Sequence, residues 1–200
     1  HSWSISNISD FWKAIWGYMT IEFSSDYTQV VDDETKMPGA KWFEGARFNF
    51  AENLLRVRSD KPAIHFKGEA QPVRTLTYNE LFAAVEKLAS ALRKMGVQKD
   101  DRVAGWMPNM PETIIAMLAT ASIGAIWSSS SPDFGIKGVL DRFTQIKPKV
   151  LFAANGYFYN GKAFDSLEKL NSILDQLPPV KQVVVTPYTD SHPDISSVKN

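Results

Sequence analysis

Cysteine is absent from all 200 residues of the sequence. Its absence excludes disulfide bonds, thiolate catalysis and cysteine-ligated zinc, and it is consistent with a reducing compartment. An excess of either charge is also lacking, because 22 lysines and arginines balance 22 aspartates and glutamates. With no net charge and no basic stretch, the sequence predicts no general attraction to nucleic acid or to anionic lipid.

Long apolar segments and targeting signals are missing as well. The longest apolar stretch, residues 114–127, is interrupted by Thr120, Ser122 and Gly124 and is too short to span a bilayer. The N-terminus has neither the charged segment nor the apolar segment of a signal peptide. We therefore expect a cytosolic protein without a membrane partner.

Motifs for autonomous catalysis are also missing. No cluster of His, Asp and Glu has metal-ligand spacing, so the sequence predicts no metal ligands. The serine run Ser128–Ser131 has no G-x-S-x-G context and no histidine nearby, and a glycine-rich dinucleotide motif after a strand is absent. We predict no catalytic residue within this chain.

Aromatic residues, by contrast, are dense in residues 1–60. Trp12 and Trp16 fall in a predicted short helix capped by Asp10, and a second short helix is predicted over residues 51–58. Aromatic side chains at this density usually pack against another surface. We predict that residues 1–60 form an N-terminal extension to the rest of the chain.

From residue 61 onward the pattern becomes regular. Thr77 and Glu80 form a capping box that opens an amphipathic helix, and Gly96 stands where that helix should end. Strands and helices then alternate, which predicts a mostly parallel sheet flanked by helices in an α/β fold. The predicted strands are a hairpin at 63–67 and 73–77, then 102–107, 125–127, 149–154 and 181–186, with predicted loops at 128–131 and 155–164 and a loose tail at 187–200. Because a polar tail follows directly on a strand, we expect residues 61–200 to be the truncated beginning of a larger domain.

Parallel sheets of this class bind ligands beyond the carboxyl ends of their strands. In one loop at that edge, residues 156–163 approximate a phosphate-binding P-loop, with Gly156, Gly161 and Lys162 in the required spacing. Ala163 replaces the hydroxyl residue that would bind Mg²⁺, and three large side chains crowd the loop. An ordinary connecting loop is the alternative, and in a third interpretation Lys162 contacts a phosphate as a single charge.

The order of motifs resembles the N-terminal half of the AMP-forming acyl-CoA synthetases. The resemblance is carried by LTYNEL at 76–81, LASAL at 88–92, GV at 96–97, DRV at 101–103, PNMPE at 108–112, MLA at 117–119 and GAI at 124–126. WFEGARFNFAENLL at 42–55 resembles the N-terminal extension of the acetyl- and acetoacetyl-CoA branch of that family. The acetoacetyl-CoA members, rather than the acetyl-CoA members, are resembled by SPDFG at 131–135, GVLDRF at 138–143 and YNGK at 159–162.

The resemblance implies an acid–thiol ligase of lipid metabolism with two half-reactions. ATP and acetoacetate would give an acyl-adenylate and pyrophosphate, with Mg²⁺ expected in the full-length enzyme, and CoA would then displace AMP. The family's phosphate loop, its adenine- and ribose-binding motifs and its C-terminal lysine are not found in this chain. We therefore expect the chain to be inactive alone and to need the remaining C-terminal part of the same polypeptide as its partner.

The resemblance also implies part of a CoA site. The loop that matches Pro132, Asp133 and Phe134 lies near the pantetheine arm in acetyl-CoA relatives. Lys162 matches an arginine that contacts the 3′-phosphate of CoA, and a second arginine of that loop falls at about Tyr159, which weakens the expected phosphate clamp. Two alternatives stay open: a non-catalytic nucleotide- or CoA-binding or regulatory module that retains the fold, and a stand-alone nucleotide-binding domain built on residues 156–162.

Overall fold

The computed structural model describes residues 1–199, and the chain divides into two compact units, residues 1–56 and residues 57–200. The first unit contains three short helices and a two-stranded antiparallel sheet. These elements are α1 (Ser2–Ser6), α2 (Ile8–Tyr18), β1 (Gln29–Val31), β2 (Trp42–Glu44) and α3 (Phe50–Leu54).

Aromatic side chains of the first unit pack against one another. Trp16 on α2 stacks on Phe43 with ring centroids 4.7 Å apart, and its edge contacts Tyr27 at 5.3 Å. The predicted cap of α2 is wrong, because the helix begins one turn earlier, after Asn7, and Asp10 lies within its first turn. In that turn the Asp10 carboxylate still interacts favourably with the positive end of the helix dipole.

The second unit is an α/β structure, which confirms the predicted fold class. In chain order it contains β3 (Pro62–Phe66), β4 (Arg74–Thr77), α4 (Tyr78–Lys94), β5 (Arg102–Trp106), α5 (Pro111–Ser122), β6 (Ile126–Ser130), α6 (Ile136–Ile146), β7 (Val150–Ala154), β8 (Gly156–Tyr159), β9 (Lys162–Asp165), α7 (Leu167–Leu174) and β10 (Gln182–Thr186). The predicted hairpin is β3–β4, and the predicted capping box of Thr77 and Glu80 opens α4.

Four parallel strands form the central sheet in the order β10-β7-β5-β6. The prediction of a polar loop over residues 128–131 is wrong for its first three residues. Ser128, Ser129 and Ser130 continue β6 and pair with residues 104–106 of β5. β6 is an edge strand of this sheet, where one side of the backbone is unpaired and polar side chains meet less apolar packing than in the middle.

The main core lies between the sheet and the helices α6 and α7. Its fully buried members include Trp106 and Leu151 from the sheet, Phe143 from α6, and Leu170 and Ile173 from α7. On the opposite face of β5, Gly105 leaves room for the indole of Trp127, since a Cβ there would stand 2.6 Å from the ring. Successive residues of β5 thus pack on opposite faces of the sheet.

A partly buried ion pair joins the amino ends of β5 and β7. The Lys149 ammonium lies 2.9 Å from the Asp101 carboxylate and also donates to the carbonyl of Gly96, which ends α4. The hydrogen bond from Lys149 holds the pKa of Asp101 below its usual value. Within residues 1–199, none of the helices combines the length and the apolar character that crossing a bilayer requires.

Candidate functional site

The carboxyl ends of the four parallel strands lie along one edge of the sheet, where ligands of this architecture bind. The segments that leave this edge are 107–110 after β5, 131–135 after β6, 155–166 after β7 and 187–199 after β10. All four candidate site residues are on two of these segments: Pro132, Asp133 and Phe134 follow β6, and Lys162 follows β7.

The segment after β7 is a β-hairpin, so the predicted loop at 155–164 is wrong. β8 and β9 pair antiparallel, and Asn160 and Gly161 form the turn with φ of 50° and 72°. Lys162 is the first residue of β9, pairs with Tyr159 and is exposed. A P-loop needs a helix that begins directly after its lysine, whereas Lys162 begins a strand, so the P-loop interpretation and the stand-alone nucleotide-binding domain are wrong.

The base of the hairpin is tightly packed. A Cβ on Gly156 would stand 2.5 Å from the carbonyl oxygen of Phe164 and 2.5 Å from Oγ1 of Thr189. One step along the hairpin, the rings of Tyr157 and Phe164 stack with centroids 5.1 Å apart. The base is therefore held rigidly against the chain that follows β10.

Asn155 connects this hairpin to the chain after β10. Its side chain is buried, and Oδ1 accepts hydrogen bonds from the backbone N–H groups of Tyr188 at 2.6 Å and Thr189 at 3.2 Å. Its Nδ2 donates to the carbonyl of Asp190 at 3.2 Å. Sequence analysis missed this residue because its partners lie more than 30 positions away.

The chain after β10 is ordered rather than the loose tail that we predicted. Beyond the contacts of Asn155, the side chain of Asn171 on α7 donates to the carbonyl of Ser197 and accepts from the N–H of Lys199. Val198 packs against the main core. Asn200, the last residue of the predicted tail, lies outside the described residues.

The segment after β6 presents two of its three candidate residues to solvent. Pro132 is buried, whereas Asp133 is exposed and the Phe134 side chain is 44% exposed. The guanidinium of Arg142, two turns along α6, lies 4.6 Å from the centroid of the Phe134 ring. This cation–π contact orients Phe134 at the start of α6 without burying it.

The two candidate segments leave the same edge of the sheet, but the strands that they follow, β6 and β7, are not adjacent. β5 lies between β6 and β7, so the strand ends that carry the two segments are separated by two strand spacings, about 10 Å. Between the ends of β5 and β6 lies a cleft lined by Met107, Asn109, Thr113 and residues 129–131.

Comparison with known families decides the affiliation. The model of the AMP-binding enzyme family matches residues 50–199, three quarters of the chain. The chain belongs to this family. A second family model, the acetyl-coenzyme A synthetase N-terminus, matches residues 1–54 of this AMP-binding family member. The two matches follow each other along the chain.

Known relatives of this member of the AMP-binding family align with all or nearly all of its residues. An acetoacetyl-CoA synthetase of Macaca fascicularis is 46% identical over 205 aligned positions, covering 100% of this chain, and an acetoacetyl-coenzyme A synthetase of Rhizobium meliloti is 48% identical over 94% of it. The solved structure of an acetoacetyl-CoA synthetase from Streptomyces lividans superposes with a TM-score of 0.90 at 41% identity over 97% of this chain. The chain spans about 30% of the length of these relatives.

Proposed function

We propose that this chain is the N-terminal segment of an ATP-dependent acetoacetate–CoA ligase. The observation that carries the proposal is the similarity of nearly the whole chain to acetoacetyl-CoA synthetases, at 46% and 48% identity for the two relatives above. In this proposal residues 1–60 are the N-terminal extension and residues 61–200 begin the AMP-binding domain. The parent enzyme acts in the cytosol on small molecules, without a nucleic-acid or membrane partner.

The reaction that we assign to the parent has two steps. A carboxylate oxygen of acetoacetate attacks the α-phosphorus of ATP and pyrophosphate leaves, and the thiol of CoA then attacks the acyl carbon and AMP leaves. Mg²⁺ would neutralise the charge of the phosphates of ATP. Within residues 1–199 no group of three or more His, Cys, Asp or Glu residues is arranged to hold a metal ion, and we assign none of them to Mg²⁺. We assign no catalytic role to this chain, because the phosphate loop and the C-terminal lysine of the family are not found in it.

The part that we assign to this chain is one wall of the CoA site. Lys162 would contact the 3′-phosphate, because its ammonium is exposed at the tip of a hairpin whose other end is fixed to the sheet. Pro132, Asp133 and Phe134 would lie beside the neutral pantetheine arm. The distance of about 10 Å between the two strand ends is well within the reach of an extended CoA molecule.

Pyrophosphate release by the full-length parent tests the function. With ATP and CoA present, we expect release to depend on acetoacetate and to be much slower with acetate. Release driven by acetate instead would contradict the acyl assignment while supporting a ligase. A folded parent that releases no pyrophosphate with either acid would overturn the ligase and favour a non-catalytic CoA-binding or regulatory module.

Replacing Lys162 by alanine tests the CoA assignment. We expect the KM for CoA to rise about two- to fivefold with little change in kcat, because one exposed charge pair contributes up to ~1 kcal/mol. Dephospho-CoA, which lacks the 3′-phosphate, should show no difference between the variant and the parent. Lys87→Ala, an equally exposed lysine on α4, is the matched control. A rise in KM that is equal for both thiols would contradict a contact with the 3′-phosphate.

A further inference from the structure

The hairpin that carries Lys162 needs support beyond its own hydrogen bonds. Two strands of four residues each make up β8 and β9, and they form a separate two-stranded sheet. An isolated hairpin of this size is marginally stable in water. Its base is fixed at Gly156 and Asn155, but the tip at residues 160–162 is the part farthest from that base.

A single carboxylate holds the tip. Glu69 Oε1 accepts a hydrogen bond from the N–H of Asn160 at 3.3 Å, and Oε2 accepts one from the N–H of Gly161 at 3.0 Å. Both turn residues have positive φ, a conformation that directs successive N–H groups toward the same side of the backbone. The carboxylate therefore engages the two residues that immediately precede Lys162.

Glu69 itself stands on an anchored turn. It lies between β3 and β4, where the Gln71 amide donates to the carbonyl of Tyr188 and the Lys67 ammonium donates to the carbonyl of Gln71, both at 3.1 Å. At the start of β4, the Arg74 guanidinium forms an ion pair of 2.7 Å with Glu112 on α5. The turn is thus tied to the chain after β10 and, through β4, to a helix of the main fold.

Negative charge surrounds the place where the β3–β4 turn meets the hairpin and the chain after β10. Burial, together with the carboxylates of Glu69 and Glu112, raises the pKa of the Tyr188 hydroxyl. Tyr188 also contacts the hairpin directly, since its ring centroid lies 5.9 Å from that of Phe158. The β3–β4 turn, the hairpin and the chain after β10 therefore meet at one place in the second unit.

We propose that Glu69 is a positioning residue that holds the hairpin tip so that Lys162 is presented to the phosphate of CoA. The inference rests on the proposed function of Lys162. Glu69 also carries a negative charge that would repel a phosphate. Because Glu69 is exposed, salt and water screen that repulsion, whereas the two hydrogen bonds act directly on the tip. Ordering of the tip is therefore the dominant effect.

Steady-state kinetics of the full-length parent test the role. With Glu69→Ala we expect the KM for CoA to rise about two- to fivefold, with kcat and the KM for ATP unchanged and with no change for dephospho-CoA. Glu69→Gln should restore part of the loss, because its amide keeps one carbonyl oxygen as acceptor. Glu86→Ala, which removes an exposed glutamate from α4, is the matched control. In the full-length parent, amide hydrogen exchange should accelerate at Asn160 and Gly161 in Glu69→Ala.

The sign of the change in KM separates the outcomes. A lower KM for CoA would show that Glu69 competes with the phosphate, and an unchanged KM would show that the tip needs no support; either result overturns the positioning role. An equal rise with dephospho-CoA would overturn it too, since the effect would not pass through Lys162. If the parent releases pyrophosphate with acetoacetate but Lys162→Ala leaves the KM for CoA unchanged, both the phosphate contact of Lys162 and the positioning role of Glu69 are wrong. The assignment of the parent as a ligase is then unaffected.

Discussion

Replacing Phe143 by alanine is expected to lower the free energy of unfolding of the chain by about 3–5 kcal/mol. Phe143 lies on α6, is 0% exposed and is among the largest fully buried side chains of the second unit. It packs in the core that Trp106 on β5 and Leu170 and Ile173 on α7 also fill. Removing the ring leaves a cavity among elements that are each held by several others, so the site cannot collapse to refill it.

Urea unfolding followed by circular dichroism measures this change, since the midpoint shifts while the slope of the transition stays constant. Phe134→Ala is the matched control, because it removes the same ring from a position only nine residues earlier that is 44% exposed. We expect its effect to stay below about 1 kcal/mol. Equal destabilisation by the two substitutions would contradict the burial that the structure assigns to α6.

The central sheet could be predicted because its strands are buried on both faces. All five residues of β7 are buried, and its run of Val, Leu, Phe and Ala is typical of a parallel strand covered by helices on both sides. The caps at Thr77 and Gly96 are local signals that the structure reproduces. At these positions the local signals of the sequence were confirmed.

Two of the wrong predictions, at β6 and at residues 156–163, have separate physical causes. At β6 the serines suggested a loop, but strand pairing is a backbone property and an edge strand accepts polar side chains. The sequence of residues 156–163 matches two local patterns, a P-loop and a β-hairpin. Asn160-Gly161 between aromatic residues is a hairpin signal, whereas Gly161-Lys162 resembles the end of a P-loop, and the missing hydroxyl at Ala163 should have favoured the hairpin.

The supports of the candidate site could not be predicted, because they join segments that are distant in sequence. Glu69 precedes its partners Asn160 and Gly161 by 91 and 92 positions. Asn160 and Gly161 belong to the YNGK motif at 159–162, but Glu69 belongs to no motif that was recognised in the sequence. A family resemblance locates residues that touch a ligand, but the residues that hold them in place are visible only in the fold.

Asn155→Ala is the second substitution for which we expect a large effect, about 2–4 kcal/mol of lost stability. Asn155 is 3% exposed, and its side chain satisfies the N–H groups of Tyr188 and Thr189 and the carbonyl of Asp190. Alanine leaves all three backbone groups without this partner. The loss exceeds that of an exposed hydrogen bond, because the three contacts are partly buried and groups left there without a partner are incompletely rehydrated.

Thermal unfolding and amide hydrogen exchange test this prediction together. We expect a lower Tm for Asn155→Ala and faster exchange at the N–H groups of Tyr188 and Thr189, near the base of the hairpin that carries Lys162. Asn171→Ala is the matched control, since Asn171 binds the same C-terminal segment through Ser197 and Lys199 but by exposed hydrogen bonds. We expect Asn171→Ala to lower the free energy of unfolding by less than about 1 kcal/mol, because water replaces exposed hydrogen-bond partners. If both asparagine variants unfold alike, burial is not what makes the Asn155 contacts strong, and the hairpin base must be fixed chiefly by the close packing at Gly156.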